Sequence, residues 1–93
     1  MRTKKRHKLE VIYDILNIIK ENKNSIKPTP LLRYSNLSSQ RFTEYEEELL
    51  KKHFIIEIYD KKNRKHYSLT DKGFNYLNKY QIIIGFIDEF ELD

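Results

Sequence analysis

Apolar residues recur along this chain with two periods, one of between three and four residues and one of two. In "KLEVIYDILNIIKENK" positions 9, 12, 16 and 19 are apolar, and 11, 15 and 18 form an adjacent stripe. This spacing predicts a helix with a wide buried face, ended by Asn22 and Asn24. In "IKPTPLLRYSN" Thr29 can cap and Pro30 suits the first helical position, which predicts a short second helix to about Tyr34. "SNLSS" breaks the pattern. Ser38 or Ser39 then caps a third helix, "SQRFTEYEEELLKKH", that buries Phe42, Tyr45 and Leu49.

The period then changes. "FIIEIYD" is rich in Ile and aromatics and reads as a strand, followed by the polar turn "KKNRK", in which Asn63 tolerates a left-handed backbone. "HYSLT" alternates, with Tyr67 and Leu69 expected inward and His66 and Ser68 outward, which completes a β-hairpin. Thr70 caps the last helix, and Asp71 complements its dipole. That helix carries two apolar stripes. Phe74, Leu77 and Ile84 lie on one side and are expected to meet the core. Tyr76, Tyr80, Ile83, Ile87 and Phe90 recur at four, three, four and three, the spacing of a coiled-coil seam, and are expected to form a dimer interface. Both stripes wrapping one core is the alternative. Gly85 lowers helix propensity within this segment, so a kink or early stop is also possible there.

The chain of 93 residues is read as one domain near the small end of what a single core supports. Its parts are a basic arm at 1–7, a core at 8–70 and a C-terminal helix at 71–93. Without Cys there are no disulfides or thiolate metal sites. No secretory or membrane segment is expected, because "YQIIIGFI" is too short to span a bilayer. The expected location is cytoplasmic, at the nucleoid.

Net charge is +4, but its distribution is more informative. Residues 71–93 carry −3 and residues 1–70 carry +7. Cations cluster at Arg2, Lys4, Lys5, Arg6 and Lys8, and again at Lys61, Lys62, Arg64 and Lys65. A basic body with an acidic end points to a polyanion on one side, although a merely basic protein would show the same balance.

The element order, with its tight break between the second and third helices, is that of a winged helix-turn-helix: α+β, mainly α, with three helices, a two-stranded hairpin wing and a C-terminal helix. "KLEVIYDIL" opens the first helix, "RYSNLSS" forms the turn, and "HYSLTDKG" closes the wing. Over roughly residues 8–81 these stretches resemble archaeal winged-helix regulators and small chromatin-associated proteins, in which an extended C-terminal helix pairs two subunits. The resemblance implies a homodimer on double-stranded DNA, with the third helix in the major groove and the wing along the backbone. The chain departs from that pattern in its short tail after Tyr80 and in an acidic third helix with Glu44, Glu46, Glu47 and Glu48.

Candidate base-reading residues are Ser39, Gln40, Arg41, Thr43 and Glu44, since Arg suits guanine, Gln suits adenine and Glu can accept from cytosine. Glu44 could equally face solvent. The glutamates at 46–48 are expected to form a solvated face, the alternative being that they repel DNA. Lys61, Lys62, Asn63, Arg64 and Lys65 at the wing suit phosphates or the minor groove. Arg33 and Tyr34, with Lys4, Lys5 and Arg6 in the arm, are candidate backbone contacts.

Catalysis has little support in the sequence. His7, His53 and His66 lack metal-ligand spacing, the carboxylates of "TEYEEE" do not converge, and two glycines cannot build a phosphate loop. No enzyme activity, cofactor, metal or small-molecule ligand is expected. The leading expectation is a homodimeric transcriptional regulator. The alternatives are a sequence-tolerant architectural DNA-binding protein and a protein–protein interaction module on the same scaffold.

Overall fold

The computed structural model describes residues 6–92. Its elements are α1 (Lys8–Glu21), α2 (Pro28–Ser35), α3 (Ser39–Lys51), β1 (Ile55–Tyr59), β2 (Lys65–Leu69) and α4 (Asp71–Glu89). The architecture is mainly helical with one two-stranded antiparallel sheet, as the periodicities require.

α1 is the central rod. Val11, Ile12, Ile15, Leu16 and Ile19 are buried, so its apolar face is covered along the whole length. Leu31, Phe42, Leu49, Ile55, Tyr67, Leu69 and Leu77 close around that face from the other five elements. Burying each large aliphatic side chain contributes about 1.5–3 kcal/mol, and most of the fold's stability comes from this cluster.

α2 begins two residues earlier than its sequence suggested. Lys27 holds the N-cap position and Pro28 the first helical one, so Thr29 lies inside the helix. Pro28 explains the shift: its ring presets the helical φ and it has no N–H that would need a cap. Asn36, at φ 61°, ends α2 in a left-handed turn, and three residues later α3 begins.

In the hairpin, Ile55 pairs with Leu69 and Tyr59 with Lys65. Asp60 and Asn63 close its tip, Asn63 with φ 60° as the turn demands. A third segment joins the sheet at one point, where Ile26 and Tyr67 exchange backbone hydrogen bonds of 3.2 and 2.7 Å. Asn24 Oδ1 accepts from the Leu69 N–H at 2.7 Å. Thus β2 is held on both edges. Ser68 lies on the face opposite Tyr67 and Leu69 and is nonetheless buried, so, contrary to expectation, that face is not exposed at this position.

α4 runs unbroken through Gly85, so no early stop occurs there. Its two halves differ. The first half is seated on the domain by Gly73, Phe74 and Leu77. Beyond it Ile82, Ile83, Phe86 and Phe90 are each more than half exposed.

Candidate nucleic-acid interface

The turn between α2 and α3 is built from short polar side chains. Ser35 Oγ donates to the Leu32 carbonyl at 2.7 Å, and the Ser38 hydroxyl accepts from the Arg41 N–H at 3.2 Å. This cap starts α3 sharply and leaves its first two turns facing outward. Ser39, Gln40, Arg41, Thr43 and Glu44 are all exposed. Thr43 spends its hydroxyl proton on the Ser39 carbonyl at 2.9 Å. The Arg41 guanidinium lies 5.9 Å above the Tyr45 ring, at the outer range of a cation–π contact. Arg41, Glu44, Tyr45 and Glu48 share a shallow recess with Lys8 of α1.

The acidic stretch of α3 is not a uniform solvated face. Glu48 pairs with Lys8 at 3.0 Å and with Lys52 at 2.8 Å, and these hydrogen bonds hold its carboxyl below the ordinary value. Glu46 is half-buried and accepts a hydrogen bond from the Tyr67 hydroxyl. Burial first, and then that carboxylate, push the Tyr67 phenol far above its usual range. Glu44 and Glu47 remain exposed. The expectation of a solvated face therefore fails at Glu46 and Glu48, whose charges are answered by neighbours that only the folded chain brings close. For Glu48 one such partner was legible, since Lys52 lies four residues on.

The wing tip is organised by a residue that sequence reasoning missed. The Asp60 carboxylate accepts from the backbone N–H groups of Lys62 and Arg64, each at 2.9 Å, and from Arg64 Nε at 2.9 Å. His66 Nε2 approaches it at 3.0 Å, while His66 Nδ1 meets Ser25 Oγ at 3.3 Å. These donors, led by the Arg64 N–H, hold the Asp60 carboxyl well below the usual carboxylate range. Its signal in the sequence was an Asp two residues before a lysine in a polar turn, the spacing of an Asx turn.

This arrangement divides the expected wing cations. Arg64 is engaged by Asp60, and Lys65 lies 3.6 Å from Glu57 and over the Tyr67 ring. Lys61 and Lys62 are exposed and have no ion pair among the described residues, so they are the free cations of the tip. Asn63 sits between them and Arg64 as the turn former.

Of the basic arm, Lys4 and Lys5, like Arg2, lie outside the described residues. Arg6 does not extend as a free cation. It donates to Asp14 at 2.7 Å and to the Ser35 carbonyl at 2.8 Å, clamping the start of α1 to the end of α2. Arg33 and Tyr34 are both exposed on α2.

The expected dimer stripe also divides. Tyr80 stacks on Tyr13 with centroids 4.6 Å apart, and Tyr76 donates to the Leu9 carbonyl at 2.6 Å while meeting Phe54 edge-on. Both therefore have partners within their own chain, because α4 leaves the hairpin directly across α1. Ile83 and Phe90 are exposed, and Ile87 is partly so.

Comparison with known proteins bears on the same geometry. A family model described as winged helix-turn-helix matches residues 5–87. The chain is a winged helix-turn-helix protein. Its wing is the β1–β2 hairpin, and α2 and α3 form the helix-turn-helix. Among solved structures, the chain is similar to Sso10a-2, a DNA-binding protein from Sulfolobus solfataricus. The TM-score is 0.74 at 19% identity, over 92% of this chain and 86% of that one, a likeness of fold. No match was found among curated proteins. Among the described residues no group of three or more His, Asp or Glu could hold a metal ion, and no helix is long and apolar enough to cross a membrane.

Proposed function

We propose that this winged helix-turn-helix protein binds double-stranded DNA, as a homodimer, and acts as a transcriptional regulator. The observation that carries the reading is the division of labour on the exposed surface. The first turns of α3 present Gln40 and Arg41, whose side chains can each make two hydrogen bonds to one base. The wing tip presents Lys61 and Lys62, whose charges suit phosphates and carry no sequence information. Sso10a-2, similar in fold, is a DNA-binding protein, which supports the same reading.

The second half of α4 supports the dimer. Ile83, Ile87 and Phe90 continue the stripe that Tyr76 and Tyr80 begin, and Ile83 and Phe90 are more than half exposed. A second α4 would bury them.

Charge reversal tests the reading directly. Arg41→Glu together with Lys62→Glu is expected to abolish duplex binding in an anisotropy titration while the circular dichroism spectrum stays unchanged. Equal binding by the variant would exclude this surface. Selection on a random duplex library separates regulator from architectural protein. A regulator enriches one operator by roughly 10³-fold or more over random duplex, and an architectural protein enriches none.

A further inference from the structure

One of the α3 glutamates stands where a charge is least expected. Phe42, Glu46 and Leu49 share a single helical stripe, and the two flanking members are buried in the core. A carboxylate in that row needs a hydrogen-bond donor, and Tyr67 of β2, itself fully buried, supplies its hydroxyl. No other side-chain hydrogen bond or ion pair joins α3 to β2 among the described residues.

We propose that Glu46 is a positioning residue for DNA binding. Through Tyr67 it fixes the base-reading end of α3 relative to the strand that carries the wing. This inference rests on the DNA-binding reading above.

The mechanics follow from where α3 is held. Its C-terminal end is tied by the Phe54 N–H to the Leu49 carbonyl at 2.9 Å and by Lys72 Nζ to the Lys52 carbonyl at 2.8 Å. Gln40 and Arg41 lie six and five residues before Glu46, or about 8–9 Å along the axis. Phe42 and Leu49 press the helix onto the core, and non-directional apolar contact sets its orientation less sharply than a hydrogen bond does. A hydrogen bond has a preferred direction and length, so the Glu46–Tyr67 pair fixes what the apolar packing sets less sharply. With it intact, Gln40 and Arg41 can meet base edges while Lys61 and Lys62 meet phosphates of the same duplex. The competing role for Glu46 is a bare negative charge that keeps DNA away.

Three variants of the full chain separate these roles: Tyr67→Phe, Glu46→Gln and Glu46→Ala. Each is checked for folding by circular dichroism and then titrated on the duplex obtained by selection, over a range of salt. A positioning role predicts that Tyr67→Phe weakens binding roughly tenfold, within the range of coupling between adjacent residues. It also predicts a shallower salt dependence, by about 0.9 in the log–log slope for each phosphate that the wing no longer neutralises. Glu46→Gln, which keeps an acceptor for the Tyr67 hydroxyl, should bind like wild type, and Glu46→Ala should follow Tyr67→Phe. If Glu46→Gln and Glu46→Ala both bind more tightly, the carboxylate repels DNA and the inference is wrong. It is equally wrong if Tyr67→Phe is less stable yet keeps wild-type affinity and slope, because the hydrogen bond then only supports the fold. Should Tyr67→Phe not fold, the comparison of Glu46→Gln with Glu46→Ala decides alone. Failure of the wild-type protein to bind any duplex would instead overturn the proposed function, and this inference with it.

Discussion

The carbonyl oxygen of Phe54 occupies the space that a β-carbon on Gly73 would need. Gly73 lies in the first turn of α4, where Thr70 caps the helix by accepting the Gly73 N–H at 3.1 Å. Thr70 also donates to the His53 carbonyl at 2.6 Å, so the cap, the end of α3 and the start of α4 form one joint. A side chain here would push α4 off the loop that precedes β1.

Two glycines in one helix therefore respond oppositely to the same substitution. Gly73→Ala should destabilise the protein by about 1–3 kcal/mol in urea unfolding, the range for overpacking a filled site. Gly85 has open space around its Cβ position, and Gly85→Ala should stabilise α4 by roughly 0.5–1 kcal/mol. Equal effects of one sign would show that the joint at Gly73 is misplaced.

The docking of α4 on α1 has a titration signature. Burial, then the neighbouring Tyr80, push the Tyr76 phenol up to about 12. Ultraviolet titration should show a tyrosine ionisation there that is lost in Tyr76→Phe. A raised phenol value favours folding fully below the unfolded value near 10. That contribution is lost between pH 10 and 12 as the unfolded chain ionises first. Removing the hydrogen bond to Leu9 in Tyr76→Phe should cost about 1 kcal/mol at neutral pH.

The wing tip should respond to acid later than an ordinary aspartate. The Asp60 carboxyl is depressed, so its contribution is fully present above the unfolded value of about 3.9 and disappears as pH falls through the lower folded value. Amide exchange at Lys62 and Arg64 is therefore expected to stay slow through the usual aspartate range and accelerate only below it. Asp60→Ala should release both amides at neutral pH while the global unfolding midpoint changes little. Protection that survives Asp60→Ala would mean that the strands alone shape the tip.

Much of this fold is legible in the residues themselves. The change of period from helical to alternating marks the hairpin, Ser38 and Thr70 are caps placed as their positions require, and Asn63 forms the turn. Local chemistry governs each of these, and sequence displays local chemistry directly. What stays hidden depends on pairings between distant residues. Arg6 meets Asp14 and Ser35, Glu46 meets Tyr67, and Tyr80 meets Tyr13, at separations that no periodic pattern encodes. Glu46 was nonetheless detectable in principle, because its place between Phe42 and Leu49 put a charge on a buried row.

The proposed dimer seam is tested by loading it with charge. Ile83→Glu with Ile87→Glu should halve the mass seen in sedimentation and leave the monomer folded, since neither residue belongs to the buried core. An unchanged dimer mass would place the seam elsewhere.

The salt dependence of duplex binding is the most direct test of the central claim. Plotting log Kobs against log salt concentration for the wild-type protein should give a straight line with a steep negative slope, about −0.9 for each phosphate neutralised. Lys61→Ala with Lys62→Ala should flatten that slope by about 1.8 for each wing that touches the duplex, while the operator preference proposed for Gln40 and Arg41 persists. No binding even at low salt, or a slope indifferent to both lysines, would contradict the account.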